Sequence, residues 1–273
     1  MAETTGQQPR SLIVTVYGLY ARESGGWLSV GLLIRLLAEL GVEEPAVRSA
    51  ISRLKRRGLL EPSRRAGAAG YALSAEAREI LAEGDEHIFA PPQATVADGW
   101  LLAVFSVPES ERARRHTLRS RLAALGFGTA APGVWIAPAH RFGVTRAMLE
   151  RLDLGSYVDL FRADYLAFTN LPEAVTQWWD LAGLQKSYVD FVTAWSDVDP
   201  ASPPAAFAVW VRALTDWRRL PYLDPGLPAE LLPADWPGAR AAALFRTLRG
   251  RLAGPAAEFA RGLGDDRDAG DLH

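Results

Sequence analysis

The pattern of apolar and polar positions near the N-terminus predicts a short amphipathic helix. This helix starts near Glu44 and has Pro45 in its first turn, where a missing N–H needs no partner, and it ends at Gly58, which suits a left-handed stop. Apolar residues recur at i, i+3, i+4 and i+7, which predicts one stripe that faces a hydrophobic core. The residues of this stripe are Val47, Ala50, Ile51 and Leu54.

Apolar segments on both sides of this helix predict the rest of a small folded unit. The segment 11–21 (SLIVTVYGLYA) predicts a buried first helix, and Ser29 is placed to cap a second helix that ends at Gly41. After the amphipathic helix, the apolar residues 59–60 and 71–73 flank a glycine-containing segment and predict a β-hairpin. Three helices followed by a hairpin are typical of a winged helix-turn-helix domain.

The patterns further along the chain predict two more domains. Apolar runs of strand length at 100–107 and 133–137 alternate with helical segments, which predicts a ferredoxin-like β-α-β-β-α-β domain. Long helical patterns interrupted by proline-rich loops follow. The fold class is therefore α+β with several domains. The predicted division is 1–92 for the winged helix-turn-helix domain with a linking helix, 93–172 for the ferredoxin-like central domain, 173–263 for a helical C-terminal domain, and 264–273 for a disordered tail.

Basic side chains are concentrated on the amphipathic helix that starts near Glu44 and on the hairpin, although the whole chain has a formal net charge of −2. The stretch 44–65 contains seven basic and two acidic residues, which indicates contact with a polyanion. If the helix enters a major groove, Arg48, Ser49 and Ser52 lie nearest the base edges, and the later cations are placed for phosphates. The alternative is a solvated basic face. The predicted DNA-binding residues are Arg48, Ser49, Ser52, Arg53, Lys55, Arg56, Arg57, Arg64 and Arg65.

Composition excludes several classes of protein. The chain is 49% hydrophobic and 23% charged, which is typical of globular proteins. No apolar stretch reaches the ~20 residues of a membrane span, and residues 1–10 lack the features of a signal peptide. The absence of cysteine excludes disulfides and thiolate chemistry and agrees with a cytoplasmic location. The histidines lack the spacing of a metal pair, although His87 beside Asp85 and Glu86 leaves a metal site open. We predict no catalytic residue, no metal and no cofactor.

Five stretches of the chain carry a resemblance to a known family. They are SLIVTVYGLYA, RSAISRLKRRGLL, YALSAEAREIL, WLLAVFSVPESERARRHTLRSRLAALGFGTAAPGVWIAP and WRRLPYLDPGLPAELLPADWPG. The last two are the most specific, because a generic winged helix does not contain them. Over residues 10–263 the chain resembles the PaaX family of bacterial transcriptional repressors, which regulate phenylacetate catabolism. The resemblance implies the three domains named above and a homodimer that binds a partly palindromic operator in double-stranded DNA.

The resemblance also implies an inducer, because an aryl-acyl-coenzyme A such as phenylacetyl-coenzyme A releases the best-known members from DNA. One stretch of this chain combines two guanidinium groups with aromatic rings, which suits the phosphates and adenine of such a thioester. The alternative is that these arginines pair with Asp216, Asp224 or Glu230 and hold the proline-rich loop. The candidate effector-binding residues are Trp217, Arg218, Arg219 and Tyr222.

Two alternative functions stay open beside the repressor. The first is a metal-dependent nuclease, because the central domain is also similar in outline to the small ferredoxin-like nuclease subunit of CRISPR adaptation. That family has an aspartate at the end of its first strand, whereas the strand here ends at 105–108 (FSVP) without one. We therefore expect dimerisation without cleavage, and substitution of Asp98 or Asp164 tests the nuclease. The second is a ligand-responsive regulator of a different catabolic pathway.

Overall fold

The structure combines helices with two small β-sheets, which confirms the mixed class that the sequence predicts. It is a computed structural model, and it describes residues 7–22, 24–91, 93–166, 168 and 170–265. The chain passes more than once between two units. Unit 1 consists of Met1–Glu86, Asp190–Arg218 and Ala239–His273, and unit 2 consists of His87–Val189 and Arg219–Gly238. The division into three domains and a tail remains a prediction.

Helices and strands alternate along the N-terminal part of the chain, whereas the C-terminal part is largely helical. The helices are α1 (Pro9–Val16), α2 (Val30–Ala38), α3 (Glu44–Arg56), α4 (Ala75–Phe89), α5 (Arg112–Ala124), α6 (Phe142–Arg151), α7 (Leu171–Trp178), α8 (Leu181–Trp195), α9 (Pro203–Trp217), α10 (Leu220–Leu223) and α11 (Gly238–Asp265). The strands are β1 (Trp27–Ser29), β2 (Leu60–Arg65), β3 (Ala68–Leu73), β4 (Trp100–Phe105), β5 (Gly128–Ala131), β6 (Val134–Pro138) and β7 (Val158–Ala163).

Helix α3 of unit 1 confirms the amphipathic pattern. It begins at Glu44 with Pro45 in its first turn, and Gly58 beyond its end has a φ of 71°. The four stripe residues are all buried, at no more than 3% exposure. Their burial removes the apolar side of α3 from water, which stabilises the unit by roughly 1.5–3 kcal/mol for each large side chain. The polar side of α3 is therefore the side left exposed.

The antiparallel sheet of unit 1 has the order β1-β3-β2, so β2 is an edge strand. Pro62 lies in β2, where an edge tolerates the missing N–H. Only Ala66 and Gly67 connect β2 to β3, and both have positive φ, at 47° and 77°. Mirror-image turns of this kind match the twist of a tight hairpin. The sequence predicts a hairpin loop over 62–70 with Arg64 and Arg65 at its tip, and this is wrong, because both arginines lie in β2.

Polar contacts within unit 1 join the N-terminal helices to α9 and α11. The hydroxyls of Thr15 and Thr215 lie 2.8 Å apart in a buried pair. Arg212 of α9 donates to the carbonyl of Leu40 at 2.6 Å, just after the end of α2. Arg35 of α2 donates to the carbonyl of Leu263 at 2.5 Å. Helix α11 runs to Asp265, two residues into the predicted tail, and 266–273 lie outside the described residues.

Unit 2 contains an antiparallel sheet with the order β5-β6-β4-β7. The chain runs through it as β4-α5-β5-β6-α6-β7, a β-α-β-β-α-β sequence. One face of the sheet packs against α5 and α6 through Leu101, Ala103, Leu118 and Met148. The other face contributes Trp100 and Ile136 to a second apolar cluster that includes Val175 of α7 and residues Leu227 and Leu231. In the part of the chain that the structure describes, no helix is long and apolar enough to span a membrane.

Candidate nucleic-acid interface

The nine predicted DNA-binding residues all lie in unit 1, and all nine are exposed. Seven of them are on α3 or at its end, and the other two are at the end of β2, which follows α3 after a short turn at Gly58. We call these nine residues the basic surface. The buried stripe of α3 turns its apolar side inward, so the polar side chains of the same helix face water together.

Six of the seven cations of the basic surface have no acidic partner within the described residues, and four of those six have no hydrogen bond or ring contact either. Within the described residues, Lys55, Arg56, Arg57 and Arg64 form no ion pair. Arg56 and Arg57 also stand at the C-terminal end of α3, where the helix dipole favours positive charge. Exposed cations without partners can neutralise the phosphates of a nucleic acid and so release the counter-ions condensed on its backbone.

The N-terminal end of α3 differs, because there a basic side chain is paired. Arg48 Nε lies 2.7 Å from Glu44 Oε1, and Arg48 Nη2 lies 2.5 Å from the same oxygen. Both side chains are exposed, at 60% for Arg48 and 50% for Glu44. One turn along, Arg53 Nη2 donates to Ser49 Oγ at 3.2 Å. These contacts fix the positions of polar side-chain groups toward the N-terminal end of α3. This is the end that would face base edges in a major groove.

A cleft of about 500 Å³ opens within unit 1 beside this end of α3. Glu44 and Arg48 line it together with residues from α2 and β3. Those other lining residues are all small or apolar: Val30, Gly31, Ile34 and Ala69. The Glu44–Arg48 pair therefore supplies the charged side chains of this cleft.

The two arginines at the end of β2 have different surroundings. Arg65 Nη1 donates to the carbonyl of Ser24 at 2.5 Å and Nη2 to the carbonyl of Gly25 at 3.4 Å. Its guanidinium also lies 5.5 Å from the centre of the Trp27 ring, a cation–π contact. Arg65 thus ties the hairpin to the segment before β1, whereas Arg64 has no such contact. The local sequence does not distinguish the two, because the partners of Arg65 are about forty positions away.

The four candidate effector-binding residues are divided between the units, two in each. Trp217 is buried in unit 1, at 3% exposure, and stacks on Phe245 at 4.6 Å between ring centres. Arg218 of the same unit donates to the carbonyl of Ser11 at 3.2 Å. Arg219 and Tyr222 belong to unit 2, where both are exposed. A role for these four in effector binding stays a prediction.

A buried arginine of unit 2 forms contacts that the sequence does not indicate. Arg141 is 4% exposed, and its Nη1 lies 3.1 Å from His87 Nε2. Its Nη2 donates to the carbonyl of Asp224 at 3.0 Å, while its Nε has no hydrogen-bond partner among the described residues. Burial lowers the pKa of the Arg141 guanidinium, against the opposing effect of the Asp224 charge. Burial and then Arg141 lower the pKa of the neighbouring His140.

The residues of the alternative sites have structural contacts instead of metal geometry. His87 contacts Arg141 and stacks in parallel on Tyr222 at 5.5 Å. The Asp98 carboxylate accepts from the backbone and the hydroxyl of Thr95, at 2.7 and 2.9 Å, and these hydrogen bonds lower the pKa of Asp98. Among the residues that the structure describes, no three His, Cys, Asp or Glu side chains are grouped closely enough to hold a metal ion.

Comparisons with known proteins agree on one family. Residues 8–77 match a family model described as PaaX-like protein, 93–175 match the PaaX protein central Cas2-like domain, and 179–262 match the PaaX-like protein C-terminal domain. The chain is 29% identical to the transcriptional repressor PaaX of Escherichia coli (strain K12) over 269 residues, which covers 93% of this chain and 84% of the relative. A solved structure, the uncharacterised protein Rv0674 from Mycobacterium tuberculosis, is 26% identical with a TM-score of 0.63, covering 93% of this chain and 99% of that one.

Proposed function

The chain belongs to the PaaX family of transcriptional repressors, and from this premise we propose that it binds double-stranded operator DNA through the basic surface of unit 1. The observation that carries this proposal is the exposure of all nine predicted residues on one helix and the adjoining strand. The free charge at Lys55, Arg56, Arg57 and Arg64 supports it further. A protein with a net charge of −2 then attracts a polyanion locally, where these cations are concentrated.

In this proposal the helices α1, α2 and α3 with β1, β2 and β3 act as a winged helix-turn-helix, with α3 as its recognition helix. The inward apolar stripe of α3 and the tight β2–β3 hairpin support this assignment. Arg48, Ser49 and Ser52 contact base edges, because they lie toward the N-terminal end of the helix. The free cations beyond them contact phosphates, which position the protein but do not read sequence.

The unit 2 sheet is our proposed dimer contact. Its strand order is that of a ferredoxin-like domain, and β7 lies at its edge. Phe161 on β7 is 51% exposed and Val104 on β4 is 36% exposed, and the strands that carry them pair directly. Exposed apolar side chains beside an unpaired strand edge favour association with a second copy. A homodimer presents two copies of α3, which suits a partly palindromic operator.

Release from the operator by an acyl-coenzyme A, such as phenylacetyl-coenzyme A, is proposed on the family resemblance. The thioester then binds a conformation that does not fit the operator, and so shifts the population away from DNA. Trp217, Arg218, Arg219 and Tyr222 remain the candidate contacts for it. We propose no resident cofactor, no enzymatic activity and a cytoplasmic location.

A mobility-shift experiment tests the proposed function. The full chain is mixed with DNA from immediately upstream of its own gene, with a random duplex of equal length as control, and phenylacetyl-coenzyme A is added in a second series. Specific binding that the thioester releases supports both operator recognition and this inducer. Specific binding that ignores the thioester supports the repressor and contradicts this inducer. Equal binding to both duplexes contradicts operator recognition at that sequence.

A further inference from the structure

Glu44 is an acidic residue beside Arg48, the cation of the basic surface that is proposed to contact bases. Glu44 is the first residue of α3 and is half exposed, and a carboxylate at this place repels the phosphates that its neighbours attract. A negative charge at a helix N-terminus stabilises the helix dipole, and that role requires no partner. The structure nevertheless gives Glu44 a partner, since its Oε1 accepts a hydrogen bond from Arg48 Nε and lies 2.5 Å from Arg48 Nη2.

The geometry of this pair leaves a particular part of Arg48 available. A guanidinium has a side edge, formed by Nε and Nη2, and an end edge, formed by Nη1 and Nη2. Glu44 occupies the side edge through Oε1. In the described part of the chain no acceptor binds Nη1, and the side chain is 60% exposed, so the end edge is free. Two parallel N–H groups of that kind match the O6 and N7 acceptors that guanine alone presents together in a major groove.

The cleft beside the pair explains why Arg48 should remain with Glu44 when DNA approaches. The other lining residues are Val30, Gly31, Ile34 and Ala69, which offer Arg48 no second carboxylate and no second cation to displace it. Glu44 and Arg48 also lie one helical turn apart, at i and i+4, where the two side chains are neighbours on the helix surface. Arg48 therefore keeps one orientation, whereas the unpaired Lys55, Arg56 and Arg57 are free to follow phosphates.

We propose that Glu44 is a positioning residue that holds Arg48 for bidentate recognition of one guanine in each half-site. The inference rests on the proposed DNA-binding function and extends it to the base that is read and the residue that orients the reader. Glu44 itself touches no base, and it raises selectivity while it lowers affinity for DNA of any sequence.

The test measures base preference at every position of the bound duplex. The unmodified full chain and its variants are bound to a library of single-base substitutions of the upstream DNA, and affinities are compared position by position. Arg48→Ala is expected to remove the preference for guanine at one position per half-site. Glu44→Ala is expected to lower discrimination at that same position by about fivefold or more, the lower end of what one bidentate pair contributes. Its affinity for random DNA should rise, because one negative charge is removed.

Three further variants separate positioning from simple charge or folding effects. Glu61→Ala removes an exposed carboxylate from β2 within the same basic stretch, so it should raise affinity for all duplexes and leave base preference unchanged. Glu44→Gln keeps an acceptor at Oε1 and should restore part of the discrimination. In the double variant Glu44→Ala with Arg48→Ala, discrimination should equal that of Arg48→Ala alone.

Two outcomes overturn the inference and differ from each other. If Glu44→Ala changes affinity like Glu61→Ala and leaves the preference for guanine intact, the carboxylate does not position Arg48. If the unmodified chain shows no base preference at any position, the proposed operator recognition fails as well. Thermal melting of each variant, compared with the assay temperature, keeps loss of folding distinct from loss of selectivity.

Discussion

Three arginines of the basic surface in unit 1 and one arginine of unit 2 have opposite surroundings, although they are the same residue type in one chain. On the basic surface of unit 1, Arg56, Arg57 and Arg64 are exposed and have no ion pair within the described residues. In unit 2, Arg141 is 4% exposed and contacts His87 and a backbone carbonyl. An exposed guanidinium keeps its water and stays available to a ligand. A buried one loses its water, so it must be satisfied by the protein around it.

This difference shows how little the count of arginines says about function. The chain has 28 arginines and two lysines, and arginines occur in both units. What distinguishes the basic surface is that its cations are exposed, adjacent and largely unpaired. What distinguishes Arg141 is that its contacts lie on distant parts of unit 2, which makes it a structural residue. Variants of these residues test the distinction.

The free cations at the end of α3 should dominate affinity for DNA. In the triple variant Lys55→Ala, Arg56→Ala and Arg57→Ala, the slope of log affinity against log salt should become shallower by about 0.9 for each phosphate that is no longer neutralised. At about 0.1 M salt this predicts binding roughly a hundredfold or more weaker, equally for operator and random DNA. Fluorescence anisotropy over a salt series measures it.

A matched triple variant on α11 provides the control. It replaces Arg240, Arg246 and Arg261, which are exposed in the same unit, by alanine and so removes the same charge. If both triple variants changed the slope equally, net charge and not the basic surface would govern binding.

Arg141 should matter for stability and not for DNA. Arg141→Ala leaves the Asp224 carbonyl and the His87 ring without their donor and empties a buried site, so it should lower the free energy of unfolding by about 2–4 kcal/mol. Urea unfolding followed by tryptophan fluorescence measures the decrease. Arg151→Ala at the exposed end of α6 is the control and should change stability by less than about 0.5 kcal/mol. Equal stabilities would contradict a structural role for Arg141.

Neighbouring residues Arg64 and Arg65 provide the same comparison within one strand. Arg64→Ala should make the salt slope shallower by about 0.9 and leave stability unchanged, because this side chain is free. Arg65→Ala should lower stability by about 1 kcal/mol, since it removes hydrogen bonds to the Ser24 and Gly25 carbonyls and a cation–π contact with Trp27. Its salt slope should change less than that of Arg64→Ala. If the salt slope changed more for Arg65→Ala than for Arg64→Ala, Arg65 would have to leave these partners to bind a phosphate.

The smallest expected effect is a dependence of stability on pH. Burial and then Arg141 lower the pKa of His140 from its ordinary value of 6.5, against an opposing effect of Asp98. The unfolded chain therefore takes up this proton first as pH falls below about 6.5, which favours unfolding. Unfolding measured at several pH values should show a steeper decrease of stability below about pH 6.5 for the unmodified chain than for His140→Gln. Parallel curves of stability against pH for the two proteins would contradict this effect of His140.

Much of the local structure around the basic surface could be predicted from short stretches of sequence. The stripe of α3, the Ser29 cap of α2 and the hairpin after Gly58 are all confirmed. Each depends on residues a few positions apart, so the periodicity and turn chemistry of the chain contain the necessary information. The predicted roles of the nine surface residues in DNA binding remain predictions, although their exposure agrees with them.

Other elements could not be predicted, because their causes lie outside their own sequence. Strand β5 consists of glycine, threonine and two alanines, which have no strand pattern, and it exists through its pairing with β6. The helical pattern at 76–84 predicts the linking helix, whereas α4 continues to Phe89. Nothing in the local sequence marks Thr215 as the partner of Thr15, 200 positions away.

Short-range patterns in the sequence indicate where most helices and the β2–β3 hairpin form, how the charge is concentrated and which family the chain resembles. Which cations are free depends on the long-range contacts of the folded chain. The contacts of Arg65 come from residues about forty positions earlier, and those of Arg141 come from 54 and 83 positions away. Periodicity reports the side of an element on which a residue lies. Whether a charge on that side keeps its water depends on what the rest of the chain places against it, and that is a property of long-range packing.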